Sequence, residues 1–206
     1  MNYLENKSVL LISPSFFGYE QSIKQRLSEI SARVDYFDER PANTFWSKAL
    51  VRIDRRFLSH HISQYYESIY QIIQNRIYDY VFVVNIEAMP ISFLERVRKI
   101  NPQAVFILYM WDSISNKRNT VNYLSLFDRI FSFDRDDCKI YANIRFRPLF
   151  FLNEYKELAN VSDYEYDFSF VGTAHSDRYA LIRKIYVQIC NLCMKSYWHL
   201  YLQDKK

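Results

Sequence analysis

The sequence predicts an α/β fold, in which a mostly parallel Rossmann-like sheet carries helices on both faces. Short apolar runs near residues 8–13, 79–85 and 104–110 are typical of strands that are buried on both sides. Helical patterns separate these runs, so strands and helices alternate along the chain. With 206 residues, of which 50% are hydrophobic, the chain is long enough for one full core.

The first part of the chain reads as a βαβ unit followed by a long helical region. The run at residues 8–13 predicts the first strand, residues 20–32 a helix, and residues 34–37 a second strand that leads into a charged turn. Between residues 43 and 78 apolar side chains recur at helical spacing. We expect two helices there, with a break near residues 59–61.

The middle of the chain continues the alternation. Pro90 suits the first turn of a helix that runs to Ile100, and Asp134 suits an N-cap, with acidic residues in the following turn. The remaining predicted elements are the strands 79–85, 104–110 and 129–133, a short helix at 120–126, a helix through Tyr141, and a proline-interrupted edge segment at 145–151.

The last quarter predicts a second unit. The polar stretch 153–166 has no apolar periodicity and reads as a linker. A strand at 167–171, a sharp turn at Gly172 and a helix at about 177–194 follow. We therefore expect one domain at residues 1–155, a linker at 156–166, and a second βα unit at 167–206.

Charge and length limit the classes of partner. The net charge is +4, and the basic residues are scattered, so no stripe for nucleic acid is present. This small positive net charge is compatible with weak attraction to an anionic membrane surface or to a phosphate-bearing substrate. The sequence shows no signal-peptide pattern and no stretch of membrane-spanning length. We expect a cytoplasmic protein, either soluble or peripheral to the inner membrane.

Three cysteines without an export signal indicate reduced thiols. Cys190 and Cys193 form a CxxC inside a predicted helix, and no second pair exists to complete a zinc site. We expect both side chains to be buried in the helix and the protein to hold no metal.

Loops that follow parallel strands meet at one edge of the sheet, where ligands collect. Gly18 and Tyr19 follow the first strand, and Gly18 either turns the chain or lets a ligand approach the backbone. Glu87 and Asp112 each follow a later strand, and either could act as general base or remain a solvated loop carboxylate. Trp111 either stacks on a sugar ring or packs in the core.

Two further segments could bind ligands. Asp134 and Asp136 have the spacing of a metal-binding DxD, but their place at a helix start favours capping. Around Gly172, the residues Thr173, His175 and Arg178 could meet a diphosphate together with the backbone N–H groups of a helix start, or His175 could simply cap that helix.

Several segments together resemble a known family. They are VLLISPSFFGYE (9–20), YMWDS (109–113), IFSFDRDDCKIY (130–141), RFRPLFF (145–151) and YDFSFVGTAHSDRYALI (166–182). In this order they are similar to bacterial glycosyltransferases of the GT-B fold that build capsular polysaccharide and lipopolysaccharide, including the CgeB-like group. The resemblance covers most of the chain.

The resemblance implies a sugar transfer from a nucleotide-sugar to a glycan or lipid-linked acceptor, without a cofactor. It assigns residues 1–155 to the acceptor domain, with Gly18, Tyr19 and Trp111 at the acceptor and Asp112 or Glu87 as catalytic base. Gly172, Thr173, His175 and Arg178 would hold the donor phosphates. Residues 167–206 would only begin a donor domain, so we expect this chain alone to be inactive.

Two alternatives remain open at the level of sequence. The chain could be a non-catalytic flavodoxin-like binding module; a phosphate receiver is disfavoured because SPSFF and NIEAM stand where its acidic residues belong. It could also be a metal-dependent transferase that uses Asp134 and Asp136. Neither GxGxxG nor a P-loop motif is present, which disfavours dinucleotide binding and P-loop chemistry.

Overall fold

A six-stranded parallel sheet organises the first part of the computed structural model. The structure describes residues 4–30, 32–40, 55–158, 163–174 and 178–202. Two compact units divide the chain, Met1–Phe150 and Phe151–Lys206.

The first unit alternates strands and helices. Its elements are β1 (Lys7–Ser13), α1 (Tyr19–Glu29), β2 (Ala32–Asp38), α2 (Arg55–Ile73), β3 (Tyr80–Val84), α3 (Ile91–Ile100), β4 (Val105–Met110), a 3₁₀ helix (Arg118–Leu126), β5 (Arg129–Ser132), α4 (Arg135–Ile140) and β6 (Ile144–Phe146). The strand order is β2-β1-β3-β4-β5-β6, and every described pair is parallel. The predicted Rossmann-like α/β class is confirmed.

The two faces of this sheet are covered unequally. On one face, side chains such as Leu10, Val83 and Phe106 pack with α2, α3 and the 3₁₀ helix in a large buried cluster. On the other face, Leu11, Val84 and Tyr109 form a small cluster, with Ile23 and Leu27 of α1 and several half-buried strand residues against it. Alternation along each strand sends successive side chains to opposite faces.

Two local predictions in this unit need correction, and part of a third falls on residues that the structure does not describe. Residues 59–61 do not break α2, because their exposed side chains lie on its solvent side while Tyr66, Ile69 and Ile73 pack inward. Residues 43–54 of the predicted helical region lie outside the described residues. Ala32 belongs to β2 rather than to the first helix, since it pairs with Lys7 in the parallel ladder.

The second unit contains α5 (Asn153–Leu158), β7 (Phe168–Ala174), α6 (Arg178–Asn191) and β8 (Ser196–Leu202). Strands β7 and β8 pair in parallel, so with α6 they form a βαβ unit. The predicted linker at 153–166 is wrong over residues 153–158, which are helical. Ile182 and Ile189 of α6 are buried.

The predicted turn at Gly172 is wrong. Gly172 and the backbone of Thr173 lie inside β7, where Gly172 pairs with Leu200 and Thr173 with Tyr201. The glycine makes room for the Phe170 ring rather than a turn, because a Cβ there would lie 3.0 Å from Cζ of Phe170, a tight contact that the ring would have to relieve. Strand pairing with β8 extends the strand beyond the glycine.

The prediction for the two cysteines is also wrong, because Cys190 and Cys193 are both exposed. Helix α6 ends at Asn191, and Cys193 lies beyond it in a left-handed conformation with φ 53°. Its backbone N–H donates to the carbonyl of Cys190 at 3.1 Å, which is the hydrogen bond of a tight turn.

Candidate functional site

The loops that follow β1, β3 and β4 lie at the carboxyl edge of the sheet. Because β1 lies between β2 and β3, the chain leaves β1 and β3 in opposite directions. Parallel sheets bind ligands in the crevice at such a switch point. The candidate site is therefore sought in residues 14–18, 85–90 and 111–117.

Lys117 brings the two predicted catalytic carboxylates together. Its Nζ lies 3.1 Å from Oε1 of Glu87 and 3.9 Å from Oδ2 of Asp112. The three side chains are 28%, 29% and 36% exposed for Glu87, Lys117 and Asp112, so a ligand in solvent can reach all of them. They offer carboxylate acceptors and an ammonium donor within one small area.

Asp112 is oriented by its own loop. One carboxylate oxygen, Oδ1, accepts from the backbone N–H of Ser113 at 3.0 Å and from the Asn116 side chain at 3.1 Å. Asp137, a buried residue of α4, anchors this loop. Its carboxylate accepts hydrogen bonds from the backbone N–H of Ile114 and from the Ser132 hydroxyl. The carboxylate of Asp112 is thus fixed at the edge and still accessible.

Asn85 orients Glu87 from the end of β3. Its amide donates to Oε1 of Glu87 at 3.1 Å, and its backbone N–H donates to the carbonyl of Tyr109 at 2.9 Å. Asn85 is 1% exposed and left-handed, with φ 56°, a conformation that asparagine tolerates. Its Oδ1 finds no hydrogen-bond partner in the part of the chain that the structure describes.

Glu39, which sequence reasoning left in a charged turn, anchors the same loop. Its Oε1 accepts from three successive backbone N–H groups, those of Glu87 at 2.8 Å, Ala88 at 2.7 Å and Met89 at 2.8 Å. The side chain is fully buried. Three converging N–H groups form an anion-binding concavity, and here a carboxylate of the chain itself fills it.

Burial raises the pKa of Glu39 from 4.5 to about 7, although the three N–H groups oppose this by stabilising the anion. Helix α2 provides much of the cover: the Tyr66 hydroxyl donates to the carbonyl of Glu39 at 2.7 Å, and Tyr66 is itself buried. An acidic residue directly after a strand of a parallel sheet was the available sequence signal. Sequence alone does not show that a helix some 27 positions later covers it.

Aromatic side chains form a cluster around Trp111, the residue directly before Asp112. Trp111 lies 6.3 Å from Phe16 and 6.3 Å from Phe150 between ring centroids, and Tyr19 lies 5.5 Å from Phe150. Phe17 extends the cluster, 4.5 Å from Phe16. The structure thus brings together Tyr19 and Trp111, two of the predicted acceptor-binding residues. Phe16, Phe17 and Phe150 were not predicted, because aromatic loop residues give no periodic signal.

Gly18 sits between these rings as the N-cap residue of α1. Its φ is 78°, and a Cβ there would meet nothing within 4 Å. The glycine therefore serves the left-handed turn into the helix. Glu20, buried in the first turn, holds the loop by accepting from the N–H of Phe16 at 3.0 Å.

The acidic residues of the DRD segment serve helix α4. Asp134 accepts from the N–H of Asp136 at 2.8 Å as an N-cap, and Asp136 pairs with Lys139 at 2.7 Å, which lowers the pKa of Asp136. Among the described residues no group of three potential metal ligands occurs. The capping interpretation accounts for both carboxylates.

The predicted donor-phosphate residues lie in the second unit. Nη1 of Arg178 lies 3.6 Å from the position that a Cβ on Gly172 would take, so these two are close together. Thr173 contributes its backbone to β7, and His175 lies outside the described residues. Their role in binding phosphate stays a prediction.

Comparisons with known proteins give no functional lead. No family model matches the chain, and no curated protein matches it. A fusion protein that carries a yeast trimeric coiled coil is similar at TM-score 0.37 and 8% identity, over 92% of this chain and 95% of that one. A putative transcriptional regulator from Clostridium difficile is similar at TM-score 0.38 and 12% identity, over 98% of this chain and 52% of that one. Neither similarity bears on what this chain does.

Among the described residues, no helix is both long and apolar enough to cross a membrane.

Proposed function

We propose that the first unit binds a carbohydrate at the carboxyl edge of its sheet, as the acceptor domain of a GT-B-type glycosyltransferase. The observation that supports this is the aromatic cluster around Trp111, the residue directly before Asp112 of the Asp112–Lys117–Glu87 group. A sugar ring has an apolar face that stacks on an aromatic ring, and hydroxyl groups that pair with carboxylates and ammonium.

In the proposed reaction an acceptor hydroxyl attacks the anomeric carbon of a nucleotide-sugar. The new C–O bond forms as the bond to the diphosphate breaks, and the nucleoside diphosphate leaves. Asp112 or Glu87 accepts the hydroxyl proton, and Lys117 holds the two carboxylates in place. The donor half of the reaction is assigned to the second unit, at Gly172, Thr173, His175 and Arg178.

Acceptor binding is tested on an array of bacterial surface oligosaccharides with the whole chain. We expect Trp111→Ala to weaken binding about tenfold through loss of ring stacking, and Asp112→Asn to weaken it as well. Tyr179→Ala removes a ring that is 61% exposed, more than the half-buried Trp111, from the second unit and serves as the control. Binding that both site variants leave unchanged would contradict the proposal.

Donor binding is tested separately by calorimetry with UDP- and GDP-sugars. We expect any nucleotide-sugar binding to weaken in His175→Ala and Arg178→Gln and to persist in Trp111→Ala. Loss of binding in Trp111→Ala alone would instead place the nucleotide at the first unit.

A non-catalytic binding module is the second candidate. The strand order β2-β1-β3-β4-β5 is that of flavodoxin-like domains, many of which bind ligands at the same edge without sugar chemistry. Glycan binding without any nucleotide-sugar binding or turnover would favour this candidate.

A further inference from the structure

Six consecutive residues at the carboxyl end of β6 are all exposed. They have the sequence RFRPLF and run from Arg145 to Phe150. Phe146 is 42% exposed, Leu149 51% and Phe150 37%. Isolated exposed apolar residues are ordinary, but a contiguous group of this kind marks an interaction surface.

The loop after β1 continues this surface. Phe16 is 47% exposed and Phe17 is 82% exposed, and Tyr19 contacts both Phe17 and Phe150, with ring centroids 6.2 Å and 5.5 Å apart. We call Phe16, Phe17, Leu149 and Phe150 the apolar rim. It lies at the same edge as the candidate site and shares Phe16, Phe17 and Phe150 with the aromatic cluster around Trp111.

The backbone of Phe17 presents its ring to solvent. Its φ is 52°, in the left-handed region that bulky residues rarely adopt. Such a conformation persists only where the surrounding structure enforces it, and Gly18 with φ 78° follows directly. The loop thus holds a phenyl ring outward at a cost in backbone energy, which is a reason to expect a function for that ring.

Arginines flank the apolar rim. Arg145 and Arg147 stand on one face by strand alternation, since the N–H of Arg147 donates to the carbonyl of Ser132 and continues the ladder. Within the described ranges, neither guanidinium forms an ion pair.

Carboxylates at the same edge are engaged elsewhere. Asp134 caps α4, Asp136 pairs with Lys139, and Glu20 is buried against its own loop. Glu87 and Asp112, which also lie at this edge, both pair with Lys117. Arg145 and Arg147, which have no ion pair among the described residues, therefore give the surface beside the exposed rings a local positive charge.

We propose that the apolar rim, with Arg145 and Arg147, docks on the surface of an anionic lipid bilayer. Aromatic and leucine side chains enter the interface between headgroups and acyl chains, and arginines pair with lipid phosphates. A second copy of the chain fits less well, because a twofold interface brings the same arginines together. The proposal shares Phe16, Phe17 and Phe150 with the aromatic cluster of the carbohydrate site, but vesicle binding and oligosaccharide binding are measured separately, so either proposal can fail alone.

Co-sedimentation with vesicles tests it at low ionic strength. We expect the whole chain to bind phosphatidylcholine vesicles that contain about 30% phosphatidylglycerol, and to bind pure phosphatidylcholine weakly. Phe17→Asn, which keeps a residue that tolerates the left-handed backbone, should weaken binding to the anionic vesicles about tenfold. Arg145→Gln with Arg147→Gln should weaken it roughly 20-fold and remove the preference for anionic lipid.

Matched controls remove an exposed apolar side chain or two arginines at positions away from the apolar rim. Ile77→Asn changes an apolar residue that is 73% exposed and lies between α2 and β3, away from the carboxyl edge. Arg26→Gln with Arg129→Gln removes two charges from α1 and from the amino end of β5. We expect both controls to bind as the unchanged chain does, and circular dichroism confirms that every variant is folded.

Three results would overturn the proposal. The first is no preference for anionic vesicles by the folded chain, and the second is equal weakening in the control variants. The third is a dimer in light scattering that Phe17→Asn dissociates, which would assign the apolar rim to a second copy of the chain.

Discussion

The two faces of the six-stranded sheet differ in how they are covered. On the face that packs with α2, α3 and the 3₁₀ helix, strand residues such as Val83, Phe106 and Leu108 have no exposed surface. On the face that carries α1, residues such as Phe82 and Phe131 are only half buried. We infer that most of the packing energy comes from one face. The other face and the carboxyl edge keep side chains accessible to solvent.

The largest expected effect of a single substitution lies on the fully covered face. Phe106 has no exposed surface, and the guanidinium of Arg98 lies 4.1 Å over its ring. Phe106→Ala should lower the free energy of unfolding by about 3–5 kcal/mol, because it removes a buried ring and leaves a cavity. Urea unfolding measures this. A loss no greater than that of a half-buried ring would show that the two faces do not differ in packing.

Glu39, at the carboxyl edge, is buried by helix α2 of the fully covered face, and its titration tests that burial. Its pKa is raised from 4.5 to about 7, so the folded chain holds the proton more tightly than the unfolded chain does. Protonated Glu39 contributes about 3 kcal/mol to the free energy of unfolding. This contribution is fully present below about pH 4.5 and is lost as the pH rises through about 7. Glu39→Gln cannot titrate and should lack this part of the pH dependence.

The comparison uses urea unfolding of both proteins at several pH values between 5 and 8. The difference in unfolding free energy between wild type and Glu39→Gln should change with pH in favour of the variant as the pH rises. Parallel pH profiles would mean that Glu39 titrates in its ordinary range, and so that α2 does not desolvate it.

The smallest effect is expected on the sparsely covered face. Phe131 packs beside the small cluster of Leu11, Val84 and Tyr109 and keeps part of its surface in water. Phe131→Ala should lower the free energy of unfolding by about 1–2 kcal/mol, less than half the effect at Phe106, since less apolar surface is lost. Equal losses at the two phenylalanines would show that another element covers this face as well.

Much of the fold follows from local pattern. The strands β1, β3 and β4 are continuous apolar runs, and Asp134 caps α4 as its position before two acidic residues indicates. Glu87 and Asp112 lie in the loops that follow β3 and β4, so a rule about parallel sheets sufficed to predict that they share one edge. These features depend on neighbours along the chain or on a general property of the sheet.

The remaining parts depend on contacts between distant residues. Pairing with β8 carries β7 through Gly172, where the sequence alone predicts a turn. Lys117 pairs with Glu87 across thirty positions, and Glu39 accepts from backbone groups 48 to 50 positions away. No periodicity marks such residues, because a loop lysine or an acid in a charged turn has the same local pattern when it is solvated.

The sequence by itself determined the α/β class, the buried strands of the first unit and the edge at which Glu87 and Asp112 meet, because hydrophobic periodicity and the order of strands and helices are local properties of the sequence. Only the tertiary structure decided that, among the described residues, one face is fully covered and the other only partly, and that Glu39 rather than a ligand fills the N–H concavity. Burial and carboxylate pairing are properties of elements brought together in space, and these were the features that local pattern could not supply.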